Sequence, residues 1–374
     1  MALLPAHSVL LRTSTRKTVG AAPRKRAQLL GVGSLKLSEQ QSIAAAVDQW
    51  ITGIPGRIRD HVIFVENPEH TGYAKTLAGE DSTILVLNGD KADAGIVAVT
   101  GTFDVAGEEL LVDGTLSLEI QDYVAIPFVN LVGVTVVRIT TKEDWQAFFD
   151  DAEEACRTGH FVQQLTEVNA VLAERGLLNG GPRDNLLLTR LHITWDGTIL
   201  SGPYGTQIGR VGDVLPDLRV RSIALRPESA VAAVYYPWDI YESLAGKPWI
   251  SRYLAALDAW KFVPREDRPT TSLVGFGTSL YGAALRDGLP SAQAPFILRR
   301  GADHTLLDAK TGRLFKVGPD AAAIVEAVSN LRDVKAAAVA AAPALKVSVA
   351  LAEESARAVM DRFGQLGIDI IGAR

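Results

Sequence analysis

The chain of 374 residues contains one cysteine, Cys156, and two methionines. A lone thiol excludes an intramolecular disulfide, a zinc site of several thiolates, and the Cys-x3-Cys-x2-Cys cluster of radical enzymes. It fits a reducing cytoplasm. The six histidines, at 7, 61, 70, 160, 192 and 304, never recur at the i, i+4 spacing that puts two imidazoles on one helix face. No apolar run reaches about 18 residues. The longest, Tyr123–Val137, is broken by Pro127, Asn130 and Gly133, so no transmembrane helix is expected. A large excess of one charge is missing too. With 38 Lys/Arg against 43 Asp/Glu, the net charge of -5 gives the whole chain no electrostatic reason to coat nucleic acid.

The usual catalytic signatures are equally scarce. Gly31-Val32-Gly33 and Gly275-Phe276-Gly277 lack the Gly-x-x-Gly continuation of a nucleotide loop and read as turns. No Gly-x-Ser-x-Gly elbow occurs. His192, Asp196 and Ser201 stand close in sequence, but a hydrolytic triad is assembled in space from separate loops. No catalytic residue, metal or cofactor is therefore assigned, and neither iron, zinc nor flavin is expected.

What is present is ordinary globular material, 47% apolar and 22% charged. The fold class expected is α/β (α+β) in the N-terminal and middle regions, followed by a small C-terminal winged-helix-like domain. Residues 1–30, with Arg12, Arg16, Lys17, Arg24, Lys25 and Arg26 and no acidic residue before Glu39, read as a flexible basic arm rather than a targeting segment. Residues 31–183 read as a mixed α/β domain. A helix is expected from Ser38 to Ile51, strands at His61–Val65, Thr83–Leu87, Gly95–Thr100, Glu109–Val112 and Tyr123–Thr140, and a helical tract over Thr141–Leu178. Residues 184–293 read as a second α/β region, either separate from the first or continuous with it, with strands at Leu186–Leu188 and Val231–Tyr236. Its hairpin turns at Asp196-Gly197, and helices broken at Gly246-Lys247-Pro248 cover Ile240–Phe262. The aromatic group Tyr235, Tyr236, Trp238, Tyr241 and Trp249 reads as buried core. Leu289–Pro295, with two prolines among small residues, reads as an exposed linker.

Residues 294–374 form the last unit. Strands are expected at Phe296–Arg300, His304–Leu307 and Leu314–Val317, followed by three helices: one after Pro319, an alanine-rich one over Val334–Ala341, and one over Val347–Leu366.

The order of three strands and three helices, with Leu306-Leu307-Asp308-Ala309-Lys310-Thr311-Gly312-Arg313-Leu314-Phe315-Lys316-Val317 leading to Ala321-Ala322-Ala323-Ile324-Val325-Glu326, resembles the PqqD-like family of precursor-peptide recognition elements. That family serves pathways for ribosomally made, modified peptides. The resemblance covers about a fifth of the chain. It implies that a leader peptide pairs beside the third strand, at Arg313, Leu314, Phe315, Lys316 and Val317. It also implies packing against the third helix around Ala352, Ala356, Val359, Met360 and Phe363, with Arg357 available to an acidic leader. The apolar members serve equally well as core.

The plan of a noncatalytic front with a terminal recognition element resembles the recognition proteins of daptide biosynthesis. The partners so implied are a precursor peptide and modifying enzymes such as a dehydrogenase or aminotransferase, in the cytoplasm. Two other classes are weighed: a peptide-modifying enzyme with an α/β catalytic domain, and a winged-helix transcriptional regulator. Against the regulator, residues 296–374 hold eleven Lys/Arg to nine Asp/Glu, and the second helix is mainly alanine rather than polar base-reading side chains. A faint likeness of Leu191–Gly209 to the accessory domains of radical peptide enzymes lacks the cysteines and implies a scaffold at most.

Overall fold

The computed structural model describes residues 39–90, 95–179, 188–224, 244, 246–282, 289–308 and 310–372. The basic arm, Val231–Tyr236, Leu186 and Leu187 of the expected strand Leu186–Leu188, and Tyr235, Tyr236, Trp238 and Tyr241 of the aromatic group lie outside them, while Trp249 of that group is half-buried. The chain divides into two compact units, whose described parts are 39–153 with 161–251, and 154–160 with 252–372.

The first unit is built on a mixed sheet of ten strands: β1 (Val62–Val65), β2 (Thr83–Leu87), β3 (Ile96–Gly101), β4 (Glu109–Val112), β5 (Leu116–Asp122), β6 (Val134–Arg138), β7 (Ala170–Leu172), β8 (Arg190–Ile193), β9 (Thr198–Leu200) and β10 (Gln207–Arg210). Their order is β10-β9-β8-β1-β2-β3-β4-β5-β6-β7. The pairs β8/β1, β1/β2, β2/β3, β5/β6 and β6/β7 are parallel. β8–β10, from the middle region, belong to the same sheet as β1–β7.

Runs such as Val62-Ile63-Phe64-Val65, apolar at every position, mark strands buried on both faces. Helix α1 (Glu39–Thr52) covers one face through Ala46, Val47, Trp50 and Ile51, packed on Val62, Phe64 and Leu85. Helices α2 (Thr71–Leu77) and α5 (Leu215–Ala224) cover the other through Ala74, Leu77 and Leu218, packed on Ile63, Val65 and Ile193. Each fully buried Val, Leu, Ile or Phe among them stabilises the fold by about 1.5–3 kcal/mol, and the alanines by less.

Two expectations need correction here. Tyr123–Thr140 is not one strand: Tyr123–Phe128 winds into tight helical turns, and the strand starts only at Val134. Pro127 has no N–H to give a ladder, and Gly133 separates the two parts. Nor is Thr141–Leu178 a single helical tract. Helix α3 (Lys142–Thr158) stops at Gly159, whose φ of +77° is left-handed. Ala170–Leu172 then pairs with Thr135–Val137 as β7, and a short helix α4 (Arg175–Leu178) follows. Sheet pairing there overrides the helical spacing of Val168, Val171 and Leu172.

The second unit holds all but the first two residues of helix α6 (Ile250–Trp260) and a four-stranded antiparallel sheet ordered β11-β12-β13-β14, with β11 (Thr271–Val274), β12 (Phe296–Arg300), β13 (Asp303–Asp308) and β14 (Arg313–Val317). Three helices follow: α7 (Pro319–Leu331), α8 (Val334–Leu345) and α9 (Val349–Gln365). The fourth strand, β11, was not expected. It lies before the Leu289–Pro295 segment and pairs with β12 from Thr271↔Arg300 to Val274↔Ile297.

The Leu289–Pro295 segment is not an exposed linker. Ala294 is buried, and the Arg252 guanidinium of α6 donates to the carbonyls of Ser291, Ala294, Pro295 and Gly275. One buried fork of donors thus satisfies backbone that the prolines keep out of regular structure.

Among the described residues no single helix is long and apolar enough to cross a membrane.

Candidate functional site

The Leu-Leu-Asp to Thr-Gly-Arg run that carries the family resemblance is a hairpin turn. The Asp308 carboxylate accepts from the Lys310 N–H at 3.2 Å and from the Thr311 hydroxyl, while the Gly312 N–H donates to the Asp308 carbonyl at 2.8 Å. Gly312 has φ +69°, and a Cβ there would sit 2.8 Å from the Phe262 ring, so any other residue would be strained in its backbone and would displace that ring. The turn delivers β14 to the edge of the sheet, where it pairs with β13 from Asp308↔Arg313 to His304↔Val317 and with no other described strand. Its outer backbone groups are the ones a further strand would engage.

Side chains alternate along β14. Phe315 is half-buried and Val317 buried on the helix side, while Leu314, 45% exposed, and the exposed Lys316 face the other way. Arg313 reaches across the end of the strand. Its Nη1 donates to the Leu366 carbonyl at 2.8 Å, and its guanidinium lies 4.9 Å from the centre of the Phe315 ring.

Helix α9 starts at Ser348, whose hydroxyl accepts from the Leu351 N–H, and ends at Gly367, where the Ile368 N–H donates to the Phe363 carbonyl at 2.9 Å. Ala352, Ala356, Val359 and Phe363 form its inner face and are core residues. Ala352 lies against Ala338 and Ala342 of α8 rather than beside β14. Arg357 is exposed and pairs with Glu353 on its own helix. Of the residues implicated by resemblance, the structure therefore brings Arg313, Phe315 and Phe363 into contact at the strand edge, with Met360 half-buried on the same core. Leu314 and Lys316 lie exposed on the same strand, Val317, Ala352, Ala356 and Val359 fill the interior, and Arg357 stands apart, paired with Glu353.

The first unit holds a constellation that the sequence does not announce. His192 of β8 donates from Nε2 to the Glu66 carboxylate, with Oε1 2.8 Å away, and the Trp195 N–H donates to Glu66 Oε2 at 2.7 Å. Those bonds, that with His192 first, hold the Glu66 carboxyl below its usual range against the opposing effect of burial. His192 lies against Phe64 and Trp50, which stack with ring centres 4.4 Å apart. Its Nδ1 and the Trp50 Nε1 are buried with no hydrogen-bond partner among the described residues.

Farther along the same face, Arg138 is held by Asp122 at 2.7 and 3.0 Å and lies over Phe103, which neighbours Tyr204. Burial raises the Tyr204 phenol, with Asp104 adding to the effect.

Glu66 follows β1 directly, and β1 and β8 are parallel neighbours whose onward connections diverge: β1 leaves through α2 to β2, β8 through the Asp196-Gly197 turn to β9. Carboxyl ends of strands at such a divergence are where open α/β sheets take ligands. The grouping of His192 with Asp196 and Ser201 is not assembled. Asp196 accepts from Thr194 and Thr198, and the Ser201 hydroxyl bonds neither residue. The signal in sequence for Glu66 was only its place at the end of an apolar strand.

No group of three or more His, Cys, Asp or Glu among the described residues is placed to hold a metal ion. No family model matches the chain, and neither a curated protein nor a solved structure matches it.

Proposed function

We propose that this chain is a recognition protein that binds the leader of a ribosomally made precursor peptide by strand addition at β14 and presents it, in the cytoplasm, to the enzymes of a peptide natural-product pathway. The observation that carries the reading is the β14 edge itself: paired on one side only, apolar at Leu314 and Phe315, basic at Arg313 and Lys316. The winged-helix, PqqD-like character of the unit, and the narrower likeness to daptide recognition proteins, belong to the same proposal. The order of strands and helices and the Asp308–Gly312 turn support it. The partners would be the precursor peptide and a dehydrogenase or aminotransferase.

The test is a calorimetric titration of the full chain with short peptides encoded beside its gene, followed by hydrogen exchange. Binding with slowed exchange confined to β14 and its turn supports strand addition. Binding that leaves β14 exchange unchanged would place the peptide elsewhere.

A second reading, that the front unit modifies the peptide, is favoured by one observation, the Glu66–His192 pair at the divergence of β1 and β8. Incubating the same peptides with the full chain and measuring their mass separates the two, since a recognition protein leaves the mass unchanged.

A further inference from the structure

Two apolar layers cover the C-terminal sheet, and both stop unfinished at β14. On the side of α7–α9, the row Val274, Ile297, Leu306 is fully buried and ends at the half-buried Phe315. On the opposite side, the row Phe296, Leu307 is fully buried and ends at Leu314, 45% exposed. That opposite side is not solvent. The Arg252 guanidinium of α6 lies 3.5 Å from the centre of the Phe296 ring, and Phe262, just beyond α6, stands beside Gly312 at the head of β14.

A strand laid on a sheet with one covered face needs apolar residues only at alternate positions. A strand that continues a sheet covered on both faces needs them at successive positions. The exposed edge thus has the character of an interior strand pair with its outer member missing. Lys316, exposed beyond Leu314 on the same side and without a carboxylate partner among the described residues, adds a positive charge at one end of the row.

We propose that β14 reads its peptide on both faces at once. Side chains of one phase pack on Phe315 and Met360 beside α9, and those of the other phase on Leu314 and Phe262 beside α6. The ligand is an extended segment with apolar residues at consecutive positions and an acidic residue near Lys316. This rests on strand addition at β14 and adds to it the chemistry of the sequence that is recognised.

The test pans a display library of random peptides on the immobilised full chain, on Leu314→Asp and on Met360→Ala, each checked for folding by circular dichroism. Leu314 is half in solvent already, so its replacement leaves the fold in place, and Leu314→Ala serves as a milder second variant. The expected result is enrichment of peptides with two or three successive apolar residues. Leu314→Asp should remove the apolar preference in one phase and Met360→Ala in the other, each weakening the best peptide by about tenfold. Strictly alternating apolar patterns, or a selection unaltered by Leu314→Asp and Leu314→Ala, would overturn two-faced reading while leaving strand addition standing. No enrichment on any of the proteins would remove strand addition as well.

Discussion

Phe315 of β14 and Phe363 of α9 meet edge to face, with ring centres 6.3 Å apart and planes at 85°. Phe363 is buried and Phe315 only half so, which makes this pair the point where the interior of the C-terminal unit reaches its open strand edge. Edge-to-face aromatic pairs contribute about 0.5–1.5 kcal/mol beyond the area they bury. A double-mutant cycle in urea with Phe315→Leu and Phe363→Leu should therefore return a coupling of that size. Phe363→Leu should cost more alone than Phe315→Leu. Purely additive effects would show that the two rings touch without mutual stabilisation.

The first unit offers a sharper stability test. Arg190 donates to the Trp50 carbonyl at 2.6 Å and to the Glu174 carboxylate, and both side chains of the ion pair are almost wholly buried. Removing one partner leaves the other charge in a medium that solvates it poorly, at a cost of about 3–5 kcal/mol. Glu174→Ala and Arg190→Ala should each lower the urea midpoint by that equivalent. A cost under 1 kcal/mol would mean that water reaches the site.

Much of this architecture was legible because it is local. Val62–Val65 and residues 84–87 are written as unbroken apolar runs, the hairpin of β8 and β9 as the turn dipeptide Asp196-Gly197, and α7–α9 as helical spacing with Pro319 and Gly367 at the ends. What was not legible depends on partners far away in the chain. Glu66 and His192 are 126 residues apart and meet only because β1 and β8 pair in parallel. β7 is three residues long, too short for alternation to show, and β11 becomes a strand only beside β12. The expected groove residues Ala352, Ala356, Val359 and Phe363 carry the same pattern whether a helix face meets a core or a peptide, and here it meets the core.

A buried carboxyl in the C-terminal unit gives a prediction with a definite sign in pH. Burial raises Glu326 above its ordinary value of 4.5, although the Leu280 N–H at 2.8 Å and the Ser279 hydroxyl pull it down. The folded protein thus holds this proton more tightly than the unfolded chain does. Its contribution is fully present below about 4.5 and is lost as pH rises through the folded value. Glu326→Gln keeps an acceptor for the Leu280 N–H and removes the ionisation. The variant should melt higher than the parent at pH about 7 and at nearly the same temperature at pH about 4. A lower melting temperature at neutral pH would show that the ionised carboxylate is a stabilising partner instead.

Strand addition itself is tested by taking away single backbone donors. In an antiparallel pair successive residues point their N–H groups alternately toward and away from the neighbour, so of Leu314 and Phe315 one donates to β13 and the other faces outward. Proline removes the N–H and fixes φ near −65°, which an edge strand tolerates on its open side and not on its paired side. One of Leu314→Pro and Phe315→Pro should accordingly melt close to the parent and yet bind peptide weakly, while the other should lose stability and binding together. Phe315→Pro also deletes the ring that meets Phe363, so its stability loss is to be compared with that of Phe315→Leu before it is ascribed to the ladder. Melting and peptide affinity must be measured on the same samples, with affinity corrected for the folded fraction. If neither proline weakens binding beyond its loss of folded protein, the peptide does not extend this sheet, and the β14 edge is closed by something other than a leader strand.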